Sequence, residues 1–262
     1  MQLLLKPERR ESSLTPHPAP LITEGRHLMG RRLLLMVPML VAALVVVGLV
    51  LALGACGGGG VYGWLEEAKA RPLPEEEKAL RPGEYRSEEF KPSFYLTVGK
   101  GWHNVPVETS DKLAIQRGGR KEGPTLGFRN LQEVYEYTKN GTTAELVKAP
   151  KDMVGWFQHH PYLDTEKPEP ATVGGVKGVQ FDWMVSEDAL FEEITLYEFT
   201  DGTTGYAGKG YKIRTIILEG VKGKTVTISI IGNPTTGDPT TEFDEFLPKA
   251  QKVLDSVKWT GS

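Results

Sequence analysis

Residues 33–55 read LLLMVPMLVAALVVVGLVLALGA, 23 consecutive uncharged residues, and nothing downstream repeats a run of that kind. As a helix it spans roughly 35 Å, enough for a bilayer, and a soluble core needs no such length. One hydrophobic N-terminal helix is therefore predicted. From Gly83 onward the texture changes to short alternating or β-rich segments broken by Gly, Pro, Asn and Asp. Strands are predicted at 94–98, 112–116 and 125–129, then at 171–173, 178–185, 194–199, 211–218 and 225–231. Residues 131–139 fit neither the helical nor the strand period, so helix and strand stay open there, and Asn140-Gly141 marks a tight turn.

Two helices are expected among the strands. One starts at Ala149-Pro150, carries Asp152 near its positive end with Met153, Trp156 and Phe157 at helical spacing, and stops before Pro161. The other covers 241–257 and lines up Phe243, Phe246, Leu247, Ala250, Val253, Leu254 and Val257 as one apolar stripe, with Pro248 inside it. Turn residues between the strands imply hairpins. The predicted fold is α+β, an antiparallel sheet flanked by helices in an α/β/α sandwich.

The flanks of the apolar run give it an orientation. Arg26, Arg31 and Arg32 precede it, whereas Glu66 and Glu67 follow, so the N-terminus is expected in the cytoplasm and the C-terminal part outside. The run ends in Leu53, Gly54, Ala55 and Cys56, which resembles a bacterial lipobox with Cys56 as the lipidated residue. Its length exceeds the apolar core of roughly 7 to 15 residues in a cleaved signal. Lipid anchor and uncleaved single span both remain open, and Cys56 is either the lipidation site or a juxtamembrane thiol. Met29, before Gly30-Arg31-Arg32, is a second plausible start. The expected organisation is a cytoplasmic tail or mis-assigned start at 1–28, a signal or transmembrane segment at 29–56, a Gly/Pro/Glu-rich linker at 57–82, and an extracytoplasmic domain at 83–262.

Charge narrows the partners. After residue 55 the chain carries 25 Lys or Arg against 31 Asp or Glu, an acidic balance that argues against a nucleic-acid binder. Cys56 is the single cysteine, so the folded part has no intramolecular disulfide. The expected partners are membrane lipid through the anchor and a small apolar ligand or an envelope protein; no cofactor is called for.

The order of features from Gly83 to Trp259 resembles the small envelope lipoproteins of actinobacteria that adopt a PsbP-like α/β/α sandwich, including the LpqN-like group. The matching features are the strand 94–98 with Gly101-Trp102, the segment WFQHHPYL at 156–163, the Val173-Gly174-Gly175-Val176 turn with 178–182, and the closing helix ending in Ser256-Val257. The resemblance implies a non-enzymatic binding or accessory module and no fixed catalytic set.

Candidate chemistry is sparse. His159 and His160 are adjacent, and on a helix neighbours point about 100° apart, so they do not chelate as i and i+4 would. Helix termination against the C-terminal dipole is the simpler role, and no metal is expected. Asp182 lies between Phe181 and Trp183 and so faces the opposite side of its strand, as a solvent-side residue or a pocket carboxylate. Trp102 sits in a predicted turn, where it is either packing or an exposed ligand platform. The stretch 202–212, GTTGYAGKGYK, lacks Walker spacing and reads as a flexible hairpin loop, and no Gly-x-Ser-x-Gly elbow occurs. Trp102, His159, His160 and Asp182 are the candidate ligand-contacting residues. An unrecognised extracytoplasmic hydrolase or lyase is the alternative, and it requires His103, His159, His160 or Asp182 to converge in one pocket.

Overall fold

A computed structural model describes residues 70–119, 123–138, 143–232 and 239–260. The apolar run 33–55, Cys56, the tail 1–28, the first half of the expected linker and the Asn140-Gly141 turn lie outside those residues. Among the described residues no helix is long and apolar enough to cross a membrane.

Among the described residues, sixteen strands and two helices follow in the order β1 (Arg71–Pro72), β2 (Gly83–Arg86), β3 (Phe94–Val98), β4 (Trp102–Val105), β5 (Lys112–Arg117), β6 (Thr125–Arg129), β7 (Glu133–Tyr137) and β8 (Ala144–Lys148), then α1 (Met153–Gln158). The chain continues through β9 (Leu163–Thr165), β10 (Glu169–Val173), β11 (Val176–Val185), β12 (Glu193–Glu198), β13 (Thr204–Gly208), β14 (Ile213–Val221), β15 (Lys224–Ile231), α2 (Pro239–Leu254) and β16 (Lys258–Trp259). The central sheet runs β10-β11-β14-β15-β6-β5-β4, with β9 also pairing β11. Two four-stranded sheets accompany it, β1-β2-β3-β16 and β13-β12-β7-β8. Every pairing is antiparallel except β1 with β2.

Strand alternation explains why there are two cores. On β14 and β15, Ile216, Leu218, Val226, Ile228 and Ile230 face a cluster shared with Leu126 and Phe128 of β6 and with Phe243, Phe246, Ala250 and Leu254 of α2. The opposite positions of the same sheet, Phe181, Trp183, Ile213 and Ile217, join a second cluster with Phe157 of α1, Val134 of β7, Ile194 and Leu196 of β12, and Ala207 of β13. The central sheet is thus buried on both faces. Helix α2 and the β1-β2-β3-β16 sheet supply residues to the first cluster; α1 and the other small sheet supply the second.

This corrects the predicted α/β/α sandwich: the described residues are mainly β, with three sheets and one long helix among them. Three segments account for the difference. Residues 133–137 are strand β7, residues 144–148 pair with them as β8, and the glycine-rich 204–208, read as loop, pairs with β12 as β13. In EVYEY, AELVK and TGYAG few positions point inward, so their periodicity is faint although the sheet they form covers a core.

Smaller differences have local causes. Helix α1 begins at Met153, after the proline, because the Asp152 carboxylate caps it: Oδ1 accepts from the Gly155 N–H at 2.7 Å. Residues 70–82 pack rather than span, since Leu73 and Leu80 are buried in the first core and the Leu80 N–H donates to the Trp102 carbonyl at 2.7 Å. Helix α2 passes through Pro248 without ending there.

Candidate functional site

The sequence-selected residues do not meet. Asp182 sits on β11 directly opposite Arg214 of β14, and the guanidinium holds both carboxylate oxygens, Nε to Oδ1 at 2.6 Å and a terminal nitrogen to Oδ2 at 2.9 Å. The Lys212 ammonium lies 3.7 Å from Oδ2 and 4.0 Å from Asp244 at the start of α2. Asp182 does face away from Phe181 and Trp183, but it is only 5% exposed, so the expectation of a solvent-side residue is corrected. The far side of the sheet is covered by α2 and buries it. The bidentate pair with Asp182 also raises the Arg214 pKa above its ordinary value, ahead of the opposing effect of burial.

His159 closes α1. Its backbone N–H donates to the Gly155 carbonyl at 3.0 Å, and its ring Nδ1 lies 2.8 Å from the same oxygen. His160 instead turns inward, among the rings of Tyr137 at 5.4 Å, Trp156 at 5.2 Å and Tyr162 at 6.2 Å. Its Nδ1 accepts from the Tyr162 N–H at 3.2 Å, while Nε2 is buried with no hydrogen-bond partner. Burial lowers its pKa to about 4, because charging an imidazole in that aromatic enclosure forfeits hydration. At neutral pH the ring is neutral.

Trp102 is 2% exposed in β4, packed 5.6 Å from the Phe246 ring of α2 and flanked on its other side by the Arg117 guanidinium at 5.8 Å. It is a core residue and not a platform. His103 follows it on an edge strand of the central sheet, five strand steps from Asp182, on the order of 20 Å along the sheet. His160 belongs with the second core and Trp102 with the first. No proton relay joins them.

Recesses lie elsewhere among the described residues. One, about 520 Å³, opens at one end of the central sheet between the β5, β6, β14-β15 and β8-α1 connections. Asp111, Asn130 and Thr227 line it, with the exposed Lys151 and Lys224 at its rim. Asp111 is committed: Thr109 donates to Oδ1 at 2.6 Å, and both the N–H and the hydroxyl of Thr200 donate to Oδ2 at 2.8 Å. Burial works against that carboxylate, but the hydrogen bonds from Thr109 and Thr200 outweigh it and hold its pKa below the aspartate norm. Such an aspartate ties loops together and is a poor proton acceptor. Asn130 Oδ1 and Thr227 Oγ1 are buried without partners.

Another recess, about 390 Å³, is bordered by Glu75, Glu88, Glu89 and Glu108. One Glu108 oxygen accepts the N–H groups of Glu88, Glu89 and Phe90 at 2.8, 3.1 and 3.3 Å. Burial nonetheless leaves the Glu108 pKa raised. Among the described residues no group of three or more His, Cys, Asp or Glu is placed to hold a metal ion.

Sequence reasoning passed over Arg214, Lys212, Asp111 and Thr200, which make the densest polar contacts. Lys212 and Arg214 alternate with Ile213 and Thr215 on one strand, a cationic pair on the face where Asp182 points. Their meaning depends on register, which only the fold supplies.

No family model matches the chain, and no curated protein matches it. Among solved structures, the solution structure of cyanobacterial PsbP (CyanoP) from Synechocystis sp. PCC 6803 is similar with a TM-score of 0.36 at 12% identity, covering 79% of this chain and 99% of that one. A TM-score of that size carries no argument about fold or role.

Proposed function

We propose that this is a membrane-tethered, extracytoplasmic accessory domain that acts by binding and not by turnover. The observation that carries the binding role is the commitment of its buried polar groups. Asp182 is saturated by Arg214, Asp111 by Thr109 and Thr200, and His160 is held neutral among aromatic rings. Carboxylates tied to strands and loops in this way are poor proton acceptors, and the neutral His160 ring is enclosed by aromatic side chains away from them.

The tether rests on residues 33–55, whose length and lack of charge suit lipid, and on the arginines ahead of them. Cys56 after Leu53-Gly54-Ala55 supports a lipid anchor, with the uncleaved span as the other form of the same attachment. Holding the domain at the membrane raises its effective concentration near envelope partners.

Mass spectrometry of the mature N-terminus from membrane fractions tests the tether. A diacylglyceryl group on Cys56, or an intact peptide through residues 33–55, supports it. Recovery of a chain that retains residues 33–55 yet partitions into the aqueous fraction overturns it.

A further inference from the structure

The large apolar and aromatic side chains that stand exposed, Leu190 at 62%, Phe191 at 41% and Tyr206 at 56%, all lie within 17 residues of one another, around the β11-β12 loop and β13. That loop is held in place. The Ser186 N–H donates to the Tyr162 carbonyl at 2.8 Å, Ala189 is buried, and the Phe191 ring stands edge-on to Tyr162 at 6.2 Å. Leu190 and Phe191 are therefore presented on a fixed tip.

Tyr206 belongs to the same neighbourhood. The Lys209 N–H donates to the Glu192 carbonyl at 2.9 Å, and Val185 bridges Lys209 on its other side. Both roots of the loop thus meet the chain three residues beyond Tyr206, about 10 Å along a strand. The same bond sets the parity of the ladder. Ala207 faces Ile194 as a hydrogen-bonded pair, and Tyr206, opposite Thr195, turns its own N–H and C=O to the outer side.

Strand β13 ends its sheet, and short of the Val185 bridge at Lys209 its outer side lacks the features that guard the edges of β10, β4 and β8. Edge strand β10 carries Pro170, and β4 is capped by residues 78–80 through the Ala79 to His103 bridge. Edge strand β8 carries Glu145 and Lys148. Strand β13, TGYAG, has neither charge nor proline.

Charge selects the occupant. Glu187, Asp188, Glu192 and Glu193 are exposed around the tip, and among residues 185–209 the one cation is Lys209, at 3.5 Å from Glu192. That ring repels an anionic lipid surface, and two copies brought together would double it. We infer that the β13 edge and the Leu190-Phe191 tip form a docking surface for an extended, cationic segment of a partner protein. The segment adds as a strand along β13, with apolar side chains against Leu190, Phe191 and Tyr206 and its Lys or Arg residues facing the acidic ring. This rests on the accessory role proposed above, and it names the face that serves it.

The test replaces Phe191 with the photo-cross-linker benzoylphenylalanine in the full chain, in the cells that make it. The expected adduct is a second protein, cross-linked within a stretch that mixes Lys or Arg with apolar residues. Its yield is expected to fall at least tenfold when Glu187→Lys, Asp188→Lys, Glu192→Lys and Glu193→Lys are introduced together, and the same probe at Glu219 gives no such adduct. Thermal unfolding of the four-fold variant confirms that its fold is intact. Adducts to lipid, adducts to a second copy, a yield indifferent to charge reversal, or no adduct each overturn the inference. Carbonate extraction of the same cells separates it from the tether. An adduct formed by a chain that extracts as soluble keeps the docking surface and removes the anchor; a membrane-bound chain without an adduct does the reverse.

Discussion

The Trp183 indole N–H donates to Thr215 Oγ1 at 2.8 Å, and both side chains are buried where β11 and β14 pair. The bond lies inside the second core, beneath α1, where no water competes for the donor. Replacing Thr215 with valine keeps the shape and strands the N–H. The expected loss is roughly 1–3 kcal/mol in urea unfolding, the cost of an unpaired buried donor. Thr215→Ser, which retains the hydroxyl, is expected to lose less. A valine variant as stable as the parent would show that the bond contributes nothing.

The Asp182 and Arg214 pair lies on the other face of the same two strands. Arg214→Leu leaves a carboxylate that is 5% exposed with only Lys212 nearby, and the expected cost is on the order of 3 kcal/mol. Removing both charges as Asp182→Leu with Arg214→Leu is expected to recover most of that loss. The coupling read from the double-mutant cycle decides the matter; strictly additive losses would contradict it.

His160 gives the fold an acid sensitivity. Its pKa is lowered to about 4 in the folded protein, against an ordinary value near 6.5 in the unfolded chain. The unfolded state therefore binds the extra proton between those two values. Stability is full above about pH 6.5 and falls as pH drops toward 4, by an amount on the order of 3 kcal/mol. The groups facing the ring are the aromatic side chains of Tyr137, Trp156 and Tyr162, with no carboxylate or ammonium among them. His160→Phe is expected to flatten this part of the pH profile in denaturant titrations, and an unchanged slope would assign the acid sensitivity elsewhere.

Gly174 joins β10 to β11 with φ of +58°, followed by Gly175 at +79°. A Cβ on Gly174 would come within 2.7 Å of the Trp259 ring and 3.1 Å of the Val257 carbonyl. Gly174→Ala combines a disfavoured backbone with a clash against a packed indole, so an expected loss of about 2 kcal/mol follows. Gly175→Ala meets no neighbour within 4 Å and pays only the backbone part. Thermal melts of the two variants separate the contributions.

The longer strands were legible because their alternation is strong: FYLTV, TLGFR and TVTISII lie in β3, β6 and β15. Asp152 was expected inside the first turn of a helix starting at Ala149-Pro150, and the structure makes it the cap ahead of Met153. In the outer layer β12 was expected at 194–199 and β7 stood open between helix and strand, while β8 and β13 stayed hidden, because Val134 and Ala207 go inward among polar or small neighbours. Hidden for the same reason was the burial of Asp182. Alternation says which side of a strand a residue takes, and it does not say whether another layer covers that side. Trp102 shows the converse: its turn-like surroundings pointed to the surface, while Phe246, 144 positions later, brings α2 over it.

Strands β1 and β16, the first and last described, form the two edges of one small sheet, β1-β2-β3-β16. Strand β1 is attached to β2 by only two residue pairs, Arg71 with Tyr85 and Pro72 with Arg86. Tension applied to the chain ahead of Arg71 therefore peels away a two-residue strip before it reaches the long ladders of the central sheet. Under such a pull the short β1 pairing would yield before the ladders that position the Leu190-Phe191 face.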